Sequence, residues 1–203
     1  IVFGTTLANS VVEEKQSRIV EIIATKIPVR QLLAGKVAGN TAIAVAQMAL
    51  YAASGLSGLR FTPYASFLPS VGGALGWFLV FFLVGFLLIA CLWAVAGALA
   101  SRTEDVQSTA TPVTMLLLAI FFGSMFLDGT AQTVLSYVPP ASAVLMPQRI
   151  LDGSALWWEP FVALAILVAA AGVVVLVAER LYRRSLLQTQ GTLSMRQAWS
   201  APE

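Results

Sequence analysis

From Ala74 to Ala100 the sequence reads ALGWFLVFFLVGFLLIACLWAVAGALA, without one charged residue. A helix needs about 20 apolar residues, at 1.5 Å rise each, to cross roughly 30 Å of hydrocarbon. This run exceeds that length and predicts a spanning helix over 74–100. It lies within a charge-free gap from Phe61 to Ser101, whose first part holds Pro63, Pro69 and paired Gly72-Gly73. Those residues are punctuation for a loop over 58–73. Three further charge-free gaps flank it: Val37 to Leu59, Val106 to Leu127 and Pro160 to Ala178. They predict spanning helices at 37–57, 108–127 and 160–178, with a short connection at 101–107. The first twelve residues are apolar but too short to span, and they read as the end of a truncated membrane helix. The expected fold is therefore all-α, a polytopic bundle of four complete spanning helices and a truncated first one. Composition agrees: 58% of residues are hydrophobic and 11% charged, with mean hydropathy +0.83, where a soluble domain carries about a quarter charged residues.

Orientation follows from the basic residues, which cytoplasmic segments retain. Lys15, Arg18, Lys26, Arg30, Lys36, Arg102, Arg180, Arg183, Arg184 and Arg196 collect on one side, and only Arg60 and Arg149 fall on the other. Residues 13–36, 101–107 and the tail 179–203 are expected to be cytoplasmic, in a multi-pass protein of the cell membrane. Trp77 and Trp157-Trp158 fall near predicted outer helix ends, where amphipathic rings favour the interface.

Residues 13–27, EEKQSRIVEIIATKI, place Ile19, Ile22, Ile23 and Ile27 on one helical face. Glu14, Arg18 and Glu21 follow on the polar face, each pair contributing only about 0.2–0.5 kcal/mol. Burial of the isoleucines, on the order of 1.5–3 kcal/mol each, is the larger effect. The helix must therefore press on lipid, on the bundle or on a partner, and periodicity alone leaves a surface-lying helix and a partner-binding helix equally open. Pro28 ends it.

The run VVEEKQSRIVEIIATKIPVRQLLAGKVAGN resembles the first cytoplasmic loop of ABC type-2 exporter permeases, in particular those similar to sodium-efflux permeases. The pattern is carried by Glu13-Glu14, Arg18, Glu21 and Gly35-Lys36. The tail AERLYRRSLLQTQGTLSMRQAW and the segment PPASAVLMPQRILDGSALWWE are similar to the same family. The resemblance implies that 13–36 carries a coupling helix docking on a separate ATP-binding subunit, with Glu14, Arg18, Glu21, Ile22, Arg30 and Lys36 as candidate contacts. It also implies two permease copies, identical or homologous, paired with two ATPase subunits that hold ATP and magnesium. The chain departs from the family in lacking an earlier spanning helix and a large outer loop, as a fragment would.

In the helix from Val37, the residues Asn40, Gln47, Tyr51 and Ser54 form a polar stripe. It reads either as a wall of a substrate path or as interhelical hydrogen bonding, worth about 0.6 kcal/mol per contact. Ala42, Ala46, Ala49, Ala53, Gly85 and Gly97 are sites of close helix approach. The segment 128–159 holds Pro139, Pro140 and Pro147 around apolar pieces too short to span, so short interfacial or re-entrant helices are expected, with Arg149 and Asp152 paired at the outer boundary. After Ala178, Arg180, Arg183 and Arg184 suit anionic lipid.

The twelve basic and ten acidic residues, net +2, are too balanced for a nucleic-acid binder. Histidine is absent, Cys91 is the single cysteine, and no Walker-type loop, zinc spacing or G-x-S-x-G elbow occurs. No metal site, cofactor or catalytic residue is expected in this chain. The apolar gaps hold no ionisable relay of the kind an ion-coupled transporter or intramembrane hydrolase uses. The reading is a permease subunit whose ATPase is a partner. The alternative is a non-transporting scaffold or sensor accessory that docks a soluble partner through 13–27.

Overall fold

The computed structural model describes residues 1–16, 29–63 and 68–186, and these are helical with no strand among them. The helices are α1 (Val2–Gln16), α2 (Val29–Leu59), α3 (Leu68–Leu99), α4 (Val106–Phe126), α5 (Gly129–Leu135), α6 (Ser142–Leu151) and α7 (Glu159–Leu186). A 3-10 turn, Thr103–Asp105, precedes α4.

Among the described residues, three segments are long and apolar enough to cross a membrane: Ala74–Leu99, Thr103–Phe126 and Glu159–Leu181. The expected fourth span, 37–57, lies in α2, which has the length at 31 residues but falls outside that group. Asn40, Thr41, Gln47, Tyr51 and Ser54 lower its apolarity. The expected loop 58–73 is shorter, since α3 begins at Leu68, although its apolar span begins at Ala74. Pro69 does not prevent this, because the first turn of a helix needs no internal N–H donor. At the other end of the chain α7 runs past Ala178 to Leu186, with Ala178 and Leu181 both buried. The amphipathic helix expected at 13–27 falls largely outside the described residues, as does the end of the tail from 187.

The described chain forms two compact units. In the first, made of residues 1–40, 87–118 and 172 onward, α1 packs against the second half of α3 and the start of α4. Ala8, Val12, Trp93, Ala96, Ala100, Val106 and Ala110 form its buried core. Small residues set the spacing. A Cβ at Gly97 would lie 2.6 Å from the Ala8 carbonyl oxygen, and one at Gly4 would lie 2.3 Å from the Trp93 indole. Asp105 Oδ2 accepts the Arg102 N–H at 3.0 Å, closing the turn into α4. The hydroxyls of Ser108, Thr109, Thr111 and Thr114 donate to carbonyls three or four residues back, so the helix satisfies its own polar groups.

The second unit comprises residues 41–86 and 119–171. Trp77 of α3 meets Phe161 of α7 edge to face at 4.9 Å, and Gly85 sits so near Ala143 of α6 that a Cβ would lie 2.4 Å from the alanine methyl. Phe78, Phe82 and Phe86 follow one another along α3 at one-turn intervals, the first two rings stacked and the third tilted against the second. Residues 128–159 form α5, α6 and the loops around them, neither helix being long enough to span.

Candidate functional site

The candidate residues fall into three groups: the docking set, the polar stripe of α2 and the outer pair. Of the docking candidates, Arg18, Glu21 and Ile22 lie outside the described residues, as do the side chains of Glu14 in α1 and Arg30 in α2. Lys36 is placed. Its Nζ donates to the Ser10 carbonyl at 2.8 Å and to Ser10 Oγ at 3.0 Å, tying α2 to α1.

The polar stripe of α2 divides between the two compact units. Asn40, in the first unit, donates from Nδ2 to the Phe3 carbonyl of α1 at 3.2 Å. Gln47 and Tyr51, in the second unit, hydrogen-bond each other one turn apart on the same helix. Ser54 and Tyr51 are exposed.

A dense polar site lies in 128–159. Helix α6 buries Ser142, Leu145, Met146 and Arg149, the i, i+3, i+4, i+7 face of a helix, so arginine occupies a position that periodicity reserves for an apolar residue. Arg149 is 4% exposed, and one guanidinium nitrogen lies 2.7 Å from Glu159 at the start of α7. Its NH1 donates to Ser136 Oγ at 2.9 Å and its NH2 to the Ser154 carbonyl at 3.2 Å. Ser136 in turn donates to the Thr133 carbonyl at 2.7 Å. Glu159 also accepts the Leu156 N–H at 3.2 Å, so both ends of the connecting loop are held.

The expected partner of Arg149 was Asp152; the structure pairs it with Glu159 instead. The cause is local. Helix α6 ends at Leu151, Asp152 is its cap, and Gly153 turns the chain at φ 70°. The Gly153 N–H then bonds the Ile150 carbonyl at 3.2 Å and the Ser154 N–H bonds the Arg149 carbonyl at 3.0 Å, a Schellman closure. That turn folds Ser154 onto Arg149 and leaves Asp152 exposed. Tyr137 stands beside the pair. Its phenol is pushed above its ordinary value, first by desolvation and then by the charge of Glu159 and a hydrogen bond to it, with Arg149 opposing.

Gly129, Thr130, Gln132, Thr133, Arg149 and Ser154 line a depression of about 490 Å³. Because Glu159 neutralises Arg149, its wall offers hydroxyl, amide and carbonyl groups without net charge. Such a wall can hold or seal, but it presents no nucleophile beside a base. Among the described residues no three Cys, Asp or Glu side chains gather as a metal site would require. Glu159, Ser136, Ser154 and Tyr137 were missed from sequence. A Gly two residues past a helical stop, at Gly153, was the available signal that Asp152 would be turned away.

Known proteins now bear on these features. The family model described as ABC-2 family transporter protein matches residues 1–178. The chain is similar to the uncharacterized protein YhaP of Bacillus subtilis (strain 168), 29% identical over 201 residues, covering 92% of this chain and 48% of the relative. It thus spans about half the length of that curated relative. No solved structure matches. With three apolar helices able to cross a membrane and a family match over most of its length, this chain belongs to the ABC-2 family of transporter membrane proteins.

Proposed function

We propose that the chain is the permease subunit of an ATP-driven exporter, moving substrate across the cell membrane while a separate subunit hydrolyses ATP. The observation that carries this reading is the family match over residues 1–178, since membrane proteins of this family generally work with an ATP-binding partner. Two permease copies, identical or homologous, join two ATPase subunits. ATP and magnesium sit in the partner. The ten-to-two split of basic residues puts the 13–36 loop and the tail after Ala178 in the cytoplasm.

On this reading Glu14, Arg18, Glu21, Ile22 and Arg30 meet the ATPase, with Lys36 at the end of the same loop. Asn40, Gln47, Tyr51 and Ser54 mark the helix along which substrate moves. The braced segment 128–159 closes the outer end, where the neutral Arg149–Glu159 pair stiffens a seal without attracting ions. The test is co-expression with the ATP-binding subunit and replacement of Glu14, Arg18 and Glu21 by alanine. Loss of ATPase co-purification and of its stimulation by the permease is expected. Unchanged values for both would remove the coupling role and favour a scaffold that moves nothing.

A further inference from the structure

We infer that Lys36 and Asn40 staple the start of α2 to α1, so that α1 and residues 29–40 move as one body, and that Lys36 is a positioning residue rather than a docking contact. The inference rests on the permease reading for its use and on geometry for its existence. Lys36 Nζ reaches two acceptors on a single residue, the Ser10 carbonyl at 2.8 Å and Ser10 Oγ at 3.0 Å. Ser10 Oγ itself donates to the Leu7 carbonyl at 3.0 Å, which leaves its lone pairs to the ammonium. One turn further along α2, Asn40 Nδ2 donates to the Phe3 carbonyl at 3.2 Å. Earlier α1 residues thus meet later α2 residues, the order of an antiparallel hairpin closed at two points. An ammonium so engaged is aimed at α1.

Helix α1 is in turn seated on α3. Ala8 is fully buried, with the Gly97 Cβ position 2.6 Å from its carbonyl oxygen, and Trp93 lies against Gly4. Interfaces this close do not deform continuously; they hold one arrangement or shift to another. A displacement delivered to the start of α2 therefore passes through Lys36 and Asn40 into α1, and from α1 into the second half of α3.

Two measurements on the full chain test this. For the permease alone, hydrogen exchange of the α1 amides is compared between the parent and the variants Lys36→Met and Asn40→Leu. Asn40→Leu loses one hydrogen bond of ordinary net strength, which predicts exchange faster by about fivefold, and Lys36→Met loses two from a charged donor, which predicts an increase of more than about tenfold. For the complex with its ATP-binding subunit, the rate of maleimide labelling at Thr6→Cys, exposed on α1, is followed with and without ATP plus vanadate in a Cys91→Ala background. The ATP-dependent change in labelling is expected to be lost in Lys36→Met and recovered in Lys36→Arg, with co-purification of the ATPase unchanged throughout. Unaltered α1 exchange together with lost co-purification in Lys36→Met would make Lys36 a docking contact and overturn the staple. Persistence of the labelling change in Lys36→Met would overturn its role in transmission. If the parent complex shows no ATP-dependent labelling at all, α1 does not move with ATP and the transmission fails, whereas failure of the ATPase to co-purify with the parent overturns the permease reading; in either case the exchange measurement decides whether the staple exists.

Discussion

Replacing Arg149 by methionine leaves Glu159 buried beside an apolar side chain. In the native protein the pair is separated by 2.7 Å, and the two residues are 4% and 6% exposed. Two unit charges at such sites attract by about 4 kcal/mol at an effective dielectric of 20 and a charge separation near 4 Å. The loss on removing one partner of a buried pair is about 3–5 kcal/mol, because the survivor keeps its desolvation cost without compensation. Ser136 Oγ and the Ser154 carbonyl also lose their donor. For a chain of this size that corresponds to a fall in melting temperature of about 6–20 °C. Glu159→Leu should fall by a similar amount. The combined Arg149→Met/Glu159→Leu variant should melt no lower than the worse single variant, since no isolated charge remains. Melting is read in detergent by size-exclusion chromatography after heating, with the four proteins forming a double-mutant cycle. Costs that add to within about 0.5 kcal/mol would show that the two side chains act independently and would refute the reasoning.

Two further outcomes follow from the same physics. Gly97→Ala places a methyl 2.6 Å from the Ala8 carbonyl and should cost about 1–3 kcal/mol; Gly85→Ala should be comparably destabilising, but Ala143→Gly should restore it, since the clash is with that methyl at 2.4 Å. Thermal melts of the single and paired variants check both. The Tyr137 phenol is held above its ordinary value of 10. A raised acid favours the protonated folded state, so its stabilisation is present below about pH 10 and lost as pH rises through the folded-state value. The phenolate absorbance lost in Tyr137→Phe should therefore titrate above 10, and Glu159→Gln should bring that titration down, because the carboxylate charge is one of its causes.

Helix class and the principal apolar spans were legible because lipid imposes a one-dimensional rule: about 20 residues without charge, with backbone hydrogen bonds closed within the segment. Ala74–Leu99 and Glu159–Leu181 follow that rule and could be read with their ends misplaced by only a few residues. Helix α2 was harder. Its charge-free gap suggested a span, but polar residues at positions 40, 41, 47, 51 and 54 carry weight that a search for charges ignores.

What the sequence determined by itself is therefore the helical class, the positions of the apolar runs and the family, all properties of local composition and order. Partnership was decided only in three dimensions. The resemblance marked Lys36 and the polar stripe marked Asn40, but their acceptors, Ser10 and Phe3, are 26 and 37 residues away in sequence. Arg149 chose Glu159 over the nearer Asp152 because Gly153 reverses the chain between them. Charge and spacing set which contacts are affordable; the path of the backbone selects which are made.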